Sequence, residues 1–332
     1  MKRKMINNLL LVFAGCLFTV MPAAGDDDGI FRLLTLNLLF SEPTTAPGSD
    51  GAERFDSIAD LIEDQEIDCV LCQEVVGGEL AKELGLTETL NSSLDLKSRL
   101  GDDYRLSYRL ANGIPLVFSV GNAILCKKPV DIKWTVAKTL SFASEITIHG
   151  IDIKLRRKIM GSLLDVPHFG KLLLFNVHLC SFCPTAQRQA QINEALQFIE
   201  TIRAWTRWFY GNIPIIFGGD FNIEDFGVVL PASAELEYNL IMGAGFTDAY
   251  ADRKPCRFQE DCCEPVDDEP TVEPGCTYAV DNNLFENDPL QTTRIDYFFL
   301  RGLMADSAYV VFNRINGPFV SDHSGLVVEF SH

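Results

Sequence analysis

Several things are scarce in this chain, and each scarcity narrows what it can be. Basic residues are few: 28 Lys and Arg stand against 46 Asp and Glu, a formal charge of −18. Nonspecific nucleic-acid affinity comes mainly from cations that neutralise phosphates, so this balance disfavours a protein that merely coats DNA. An enzyme needs only a local basic or metal-bearing cleft and is not disfavoured. No Gly/Ser-rich or Pro-rich linker divides the 332 residues, and no repeat recurs at a period of about 20–50. With 47% apolar residues the chain can bury a sizeable core, and one domain over residues 26–332 is expected. Long apolar runs are lacking as well. The stretch from Leu9 to Met21 is too short for a comfortable membrane span.

That stretch has informative neighbours. Lys2, Arg3 and Lys4 precede it, and Pro22-Ala23-Ala24-Gly25 and three aspartates follow. A basic start, a short apolar middle and small residues before a polar stretch read as a signal peptide over 1–25, and hence a secreted or periplasmic protein. Phe13-Ala14-Gly15-Cys16 offers lipoprotein anchoring at Cys16 as the lesser alternative, because the run stays apolar beyond it.

Ten cysteines are present, and loss of Cys16 with the leader leaves an odd number, so at least one stays unpaired or pairs outside the chain. Cys256, Cys262, Cys263 and Cys276 sit in an acidic, proline-bearing stretch, 252–276, without helical or strand period. It reads as a loop stapled by disulfides. Zinc is the rival, but no histidine lies there and zinc suits reducing compartments better. Cys69 and Cys72 fall in an apolar strand and read as buried thiols acting as small hydrophobes. Cys180 and Cys183 are placed to close a small loop disulfide beside His178.

Apolar runs predict strands at 31–37, 69–71, 104–110, 123–126, 146–153, 172–178, 213–217, 295–300, 308–312 and 326–330, and helical spacing predicts helices over 54–63, 185–208 and 233–242. Early strand-helix alternation with strands dominating late implies two packed sheets with helices outside. The aromatic-rich helical end at 203–210 reads as core packing beside an ordinary solvated face, with a membrane-touching patch as rival. Lys154-Leu155-Arg156-Arg157-Lys158 is the one strongly basic spot, either a solvated loop or a strip that steers an anionic substrate or lipid headgroup.

Residues able to bind metal or move protons recur at the ends of apolar strands: Asn37, Gln73-Glu74, His178, Asp220 and Asn222, with Asp322-His323 before the last strand. Strand ends are where a sheet gathers side chains from distant parts of a chain into one cleft. Gly218-Gly219-Asp220-Phe221-Asn222 sets a carboxylate and a carboxamide two residues apart beyond two glycines, so both can aim one way over a close turn. Oxygen ligands of this kind suit Mg²⁺ or Mn²⁺, and the Cys/His pattern of a zinc centre is missing. Asp296 is an acid inside an apolar strand, costly unless paired, and His323 is the natural partner.

Thr35-Leu36-Asn37, Cys72-Gln73-Glu74, Gly121-Asn122-Ala123-Ile124-Leu125, Asn176-Val177-His178-Leu179, Gly219-Asp220-Phe221-Asn222, Arg294-Ile295-Asp296-Tyr297 and Ser321-Asp322-His323-Ser324 follow in the order of the endonuclease/exonuclease/phosphatase superfamily, which the chain resembles over residues 30–330. The resemblance implies a DNase I-like four-layer α/β sandwich. It implies that Glu74 holds Mg²⁺ with help from Asn37 and Asp322, that Asp220 orients or deprotonates the attacking water, and that Asn222 steadies phosphate and water. His323, held in its tautomer by Asp296, would stabilise charge or act as general acid/base, and His178 would contact the phosphate and help the leaving oxygen. In-line attack on phosphorus needs such a positioned water, a neutralising metal and a route for the leaving charge.

Within the superfamily, Arg188, Gln191, Gln197-Phe198-Ile199 and Phe246-Thr247-Asp248-Ala249-Tyr250 resemble the neutral sphingomyelinase branch, which implies a phospholipid phosphodiesterase with peripheral membrane contact. The 252–276 loop has no counterpart there. A secreted nuclease is the alternative and would require basic side chains around the cleft. The inositol-phosphate phosphatase branch is expected to carry a Trp shortly before Gly-Asp-x-Asn and a late Trp-x-Asp-Arg, and neither is found. A catalytically inactive binding module is least expected, since every matched motif position retains its functional group.

Overall fold

A computed structural model describes residues 29–39, 51–83, 85–148, 151–181, 183–223, 231–253, 275–278, 293–313, 316 and 318–331. The leader reading at 1–25 and most of the cysteine stretch lie outside these residues. The elements in chain order are β1 (Ile30–Asn37), α1 (Gly51–Asp64), β2 (Cys69–Gly77), α2 (Glu79–Glu83), α3 (Ser92–Leu100), β3 (Tyr104–Ile114), β4 (Phe118–Lys127), β5 (Asp131–Ile148), β6 (Ile151–Val166), β7 (Gly170–His178), α4 (Thr185–Tyr210), β8 (Ile215–Asp220), α5 (Pro231–Gly243), β9 (Thr247–Asp248), β10 (Asp296–Arg301), β11 (Ser307–Val311) and β12 (Gly325–Ser331).

They form two six-stranded sheets, ordered β11-β12-β1-β2-β4-β3 and β5-β6-β7-β8-β10-β9. One pair in each, β1 with β2 and β7 with β8, runs parallel. Those strands are covered on both faces, which is why they read as nearly unbroken apolar runs. Parallel neighbours also need a crossover, and α1 and α4 supply it.

Three apolar layers hold the stack together. Leu71, Ile124, Met160, Leu174, Phe298 and Val328 fill the space between the sheets. Phe55, Ile58 and Ile62 of α1 and Leu96 of α3 cover Leu34, Val70 and Leu125 of the first sheet. Ile192, Ala195 and Ile199 of α4 cover Leu173, Phe175 and Phe217 of the second. Full burial of one such side chain stabilises by roughly 1.5–3 kcal/mol. The result is helix, sheet, sheet, helix: the expected DNase I-like four-layer sandwich.

Four local expectations need correction. The strand expected at 146–153 is the end of β5 and the start of β6, which pair as one long antiparallel hairpin with Ile148 opposite Ile151. Basic residues 154–158 therefore sit on a strand, and the solvated-loop alternative falls. Cys69 is not a free thiol; it bonds Cys126 on the neighbouring strand, while Cys72 stays free and buried, its thiol pushed up by burial. The aromatic end of α4 does not pack into the core: Trp205, Trp208, Phe209 and Tyr210 are exposed. At about 1.5 Å per residue, this 26-residue helix runs about 39 Å and overshoots the sheet beneath it.

Candidate active site

Each sheet contributes residues from three adjacent strands or their approaches to one place. In the second sheet, His178 pairs in register with Asp220, and Asp220 with Asp296, so the three side chains form one row across β7, β8 and β10. In the first, Asn37 ends β1, Glu74 stands at a bulge within neighbouring β2, and Asp322 lies in the segment leading into β12 on the other side. The two sets face each other, and long polar side chains close the gap between the sheets.

Local backbone geometry aims them. Glu74 has φ 53 and sits in a register break between Cys72 and Val75, a bulge that redirects its side chain. Gly219 has φ 133, and a Cβ there would lie 2.0 Å from the Val177 carbonyl oxygen, so only glycine lets β8 approach β7 at this row. Asn222 adopts φ 48, which asparagine tolerates, and its amide donates to the Leu179 carbonyl at 3.1 Å while its backbone N–H donates to Asp220 Oδ1 at 3.0 Å.

Asp220 is the hub. Its Oδ2 accepts from Asn37 Nδ2 at 3.0 Å and lies 3.3 Å from His178 Nε2 and 3.8 Å from His323 Nε2. His323 Nδ1 in turn meets Asp296 Oδ2 at 2.8 Å. Burial pushes the Asp220 carboxyl up to about 7, with Asp296 and Glu74 adding to it against the opposing effects of His323 and Asn37. Burial alone would depress His323, but Asp296, Asp322 and Asp220 lift it well above the usual histidine range. His178 moves the other way, driven well down by burial and by the charges of Arg157 and His323, and is therefore neutral. Two histidines with opposite shifts define an acid and a base at one site.

Residues beyond the sequence-derived set hold this arrangement. Arg157 is buried, with one guanidinium nitrogen 3.0 and 3.2 Å from the two ring nitrogens of His178 and the other donating to Ser181 Oγ at 3.1 Å. Alternation along Leu155-Arg157-Ile159 could have separated it from its exposed neighbours Lys154 and Arg156. Thr277 Oγ1 accepts from the backbone N–H groups of both Ile295 and Asp296, and the Tyr278 ring packs edge-on at 5.3 Å from His323. No strand period marks those two positions. Beneath the site, Gln73 Nε2 donates to Asn176 Oδ1 at 2.8 Å, and Asn176 Nδ2 donates to the Cys72 and Ala123 carbonyls, stitching the sheets together. The expected Cys180–Cys183 disulfide closes the loop after His178.

Asp220, Asp296 and His323 place one ligand atom each within 4.8 Å of one another, a buried group that could hold a metal ion. The same atoms already share a proton through the Asp296–His323 contact. The other set offers oxygen only. Asn37 Oδ1 accepts one backbone N–H, from Leu39 at 3.0 Å, and Glu74 is partly exposed, with Oε1 3.9 Å from His178 Nε2. Asp322 takes the Ser321 hydroxyl at 3.0 Å and faces Arg54, which burial lowers to about 10. Glu74, Asn37 and Asp322 present oxygen donors alone, the donor set that fits a hard cation such as Mg²⁺ or Mn²⁺.

A family model described as Endonuclease/Exonuclease/phosphatase family matches residues 34–323, and the chain belongs to that family. Among solved structures, a family protein from Leptotrichia buccalis C-1013-b is similar over 91% of this chain and 100% of its own, with TM-score 0.58 at 21% identity. D. rerio TDP2, complexed with single strand DNA product, is similar over 92% and 100%, with TM-score 0.61 at 18% identity. A Bacteroides vulgatus endonuclease/exonuclease/phosphatase covers 90% and 98%, with TM-score 0.59 at 16% identity. No curated protein sequence matches the chain. At these identities the likeness speaks for the fold, and family membership makes the chain a phosphoester hydrolase.

Proposed function

We propose that the chain is a metal-dependent phosphodiesterase that cleaves the headgroup ester of a phospholipid, as its resemblance to the neutral sphingomyelinase branch first suggested. Glu74, Asn37 and Asp322 would hold the divalent ion, which when bound neutralises charge on the phosphate oxygens. Asp220 takes the proton of the attacking water, with Asn222 fixing its position. Protonated His323, oriented by Asp296, stabilises the charge gathering on the phosphoryl group. Neutral His178, beside the Arg157 cation, meets the leaving oxygen, and the proton taken up by Asp220 passes to that oxygen across the 3.3 Å Asp220–His178 contact.

The observation that supports a lipid is the rim. Beyond Glu74 the β3–β4 hairpin exposes Ile114, Leu116 and Val117 at 66, 66 and 51%. Leu80 joins them through its backbone N–H on the Val117 carbonyl, and exposed Leu90 adjoins through its carbonyl on Gly78 N–H. Leu116 holds φ 69, an unusual conformation for a branched residue that shows solvent its side chain. A bilayer rewards such a patch beside a cleft and a polyanion does not. The leader pattern at 1–25 supports export to a compartment where lipid is met from outside the cytosol. The exposed aromatics of α4 lie elsewhere: Tyr210 packs at 5.6 Å from Lys171 at the start of β7, about 20 Å along that strand from His178.

Leu116→Asp tests the reading. Hydrolysis of vesicle-borne lipid should fall roughly tenfold, the loss of one buried apolar side chain, with the soluble diester bis(p-nitrophenyl) phosphate unaffected. Unchanged hydrolysis of both would remove the rim's part in binding lipid, and absence of vesicle-lipid hydrolysis in the wild type would remove the lipid. Nucleic acid is then the second reading, supported by the DNA product seen with D. rerio TDP2 and by the basic wall Arg156, Arg157 and Lys158.

A further inference from the structure

The stretch Arg156-Arg157-Lys158 of β6 is short of strand neighbours just where it carries the cation that bears on His178. β7 ends its pairing with His178 opposite Lys158, and β5 breaks register between Thr139 and Ala143, across from Arg157. A backbone without a continuous ladder needs other partners for its N–H and C=O groups. They come from the other sheet. Asn112 of β3 accepts the Arg156 N–H on Oδ1 at 2.7 Å and donates Nδ2 to the Arg156 carbonyl at 2.6 Å, so its amide stands in for a residue of a neighbouring strand. Asn122 of β4 is buried and donates Nδ2 to the Lys158 carbonyl at 3.1 Å. The two asparagines grip β6 on either side of Arg157.

The β3–β4 hairpin is shaped for this grip. β3 bulges between Leu110 and Asn112, and a bulge re-aims the side chain beside it. Asn122 belongs to Gly121-Asn122-Ala123-Ile124-Leu125, whose polar side chain has no part in the proposed reaction. Both asparagines line the space that holds Glu74, Arg157 and His178.

We infer that Asn112 and Asn122 are positioning residues: by fixing the β6 backbone on both sides of Arg157, they keep its guanidinium on the ring of His178, the group at the leaving oxygen. Contacts of 3.0 and 3.2 Å to a ring on another strand tolerate little drift, since a hydrogen bond is lost by about 3.6 Å. The hairpin that shows Leu116 to solvent thereby also braces the leaving-group side of the cleft. The inference rests on the phosphodiesterase reading for its reaction and is independent of which phosphodiester is cleaved.

Probes that share a phosphoryl part and differ in the leaving group test it in Mg²⁺: p-nitrophenylphosphocholine against glycerophosphocholine, and thymidine 5′-p-nitrophenyl phosphate against the dinucleotide TpT. A p-nitrophenolate departs without a proton, whereas an alkoxide needs one delivered past His178. In whichever pair the wild type cleaves, Asn112→Ala should lower the alkoxide-leaving rate about tenfold relative to its p-nitrophenyl partner. Asn112→Asp keeps the acceptor for the Arg156 N–H and should fall between. An unchanged ratio overturns the inference, whether both rates hold or both fall together as loss of folded protein would make them. If the wild type cleaves no probe, the phosphodiesterase reading fails, and the Arg157–His178 contact is read directly by NMR in EDTA at about pH 8, above the ordinary histidine range. There the His178 ring resonances of Asn112→Ala should move toward those of Arg157→Ala; resonances that match the wild type refute the clamp.

Discussion

Asp296 reaches from one sheet to the other: its Oδ2 lies 2.8 Å from His323 Nδ1, while its Oδ1 is buried with no hydrogen-bond partner among the described residues. That contact fixes the ring so that Nε2 faces Asn37 and Asp220 at 3.5 and 3.8 Å. Asp296→Asn keeps the shape but removes the charge that lifts His323. Turnover of bis(p-nitrophenyl) phosphate should fall by about 10²–10⁴. The His323 resonance should titrate at lower pH by NMR. Unchanged turnover would mean that the pair is structural only.

Asp220 is raised to about 7 in the fold and sits near the usual carboxylate value when unfolded, so the native state holds the extra proton between those limits. The contribution of Asp220 to the stability of the metal-free protein is then fully present below the usual carboxylate value and is lost as pH rises through about 7. Asp220→Asn should therefore stabilise the protein in EDTA at pH 8 by on the order of 1–3 kcal/mol, with little gain near pH 4. Activity should fall by at least about 10³. Denaturant melts at the two pH values check the sign.

Burial and then the Arg157 charge are predicted to hold His178 neutral, so that in the wild type its titration lies below the ordinary histidine range. Arg157→Ala should raise its pKa part of the way, leaving the effect of burial, and lower turnover roughly a hundredfold, with Arg157→Lys intermediate because it keeps charge without the guanidinium fork. An NMR titration of His178 that is identical in all three proteins would contradict the assignment.

Gly219→Ala introduces both a contact with the Val177 carbonyl and a disfavoured φ. It should cost about 2–4 kcal/mol and lower the melting temperature by several degrees, while Gly211→Ala, with open space around it, pays only for its φ of 74. Thermal melts of the two variants rank them.

Much of this was legible in the sequence because the chemistry sits where apolar runs stop. Asn37, His178 and Asp220 each end a strand whose continuous apolar character comes from burial on both faces, so run and terminus could be read together. What escaped depends on register or length. Arg157 looks like one more charge in a basic stretch until β6 is set beside β7, where its neighbour Lys158 falls opposite His178. Cys69 cannot be matched with Cys126 without the β2–β4 register that makes them direct partners. The β5–β6 hairpin merged into one predicted strand because Ile146, Ile148, Ile151 and Ile153 are interrupted by only two residues, where the alternation changes phase. The aromatic end of α4 has core composition, yet the helix is longer than the 9-residue strand beneath it, so its last turn has no sheet to cover. α3 is polar on most positions and is defined by its Asn91 cap, whose side chain accepts the Leu94 N–H.

Glu74 carries the central claim, because the proposed metal-dependent phospholipid cleavage assigns it the divalent ion at the mouth of the site. The decisive measurement offers residues 26–332 phospholipid vesicles and plasmid DNA in parallel, each with Mg²⁺ titrated against EDTA. Headgroup release that needs the metal, with half-activation shifted about 10–100-fold upward in Glu74→Gln and no nicking of the plasmid, is the predicted result. Release that persists in EDTA, or is indifferent to Glu74→Gln at limiting Mg²⁺, would contradict it.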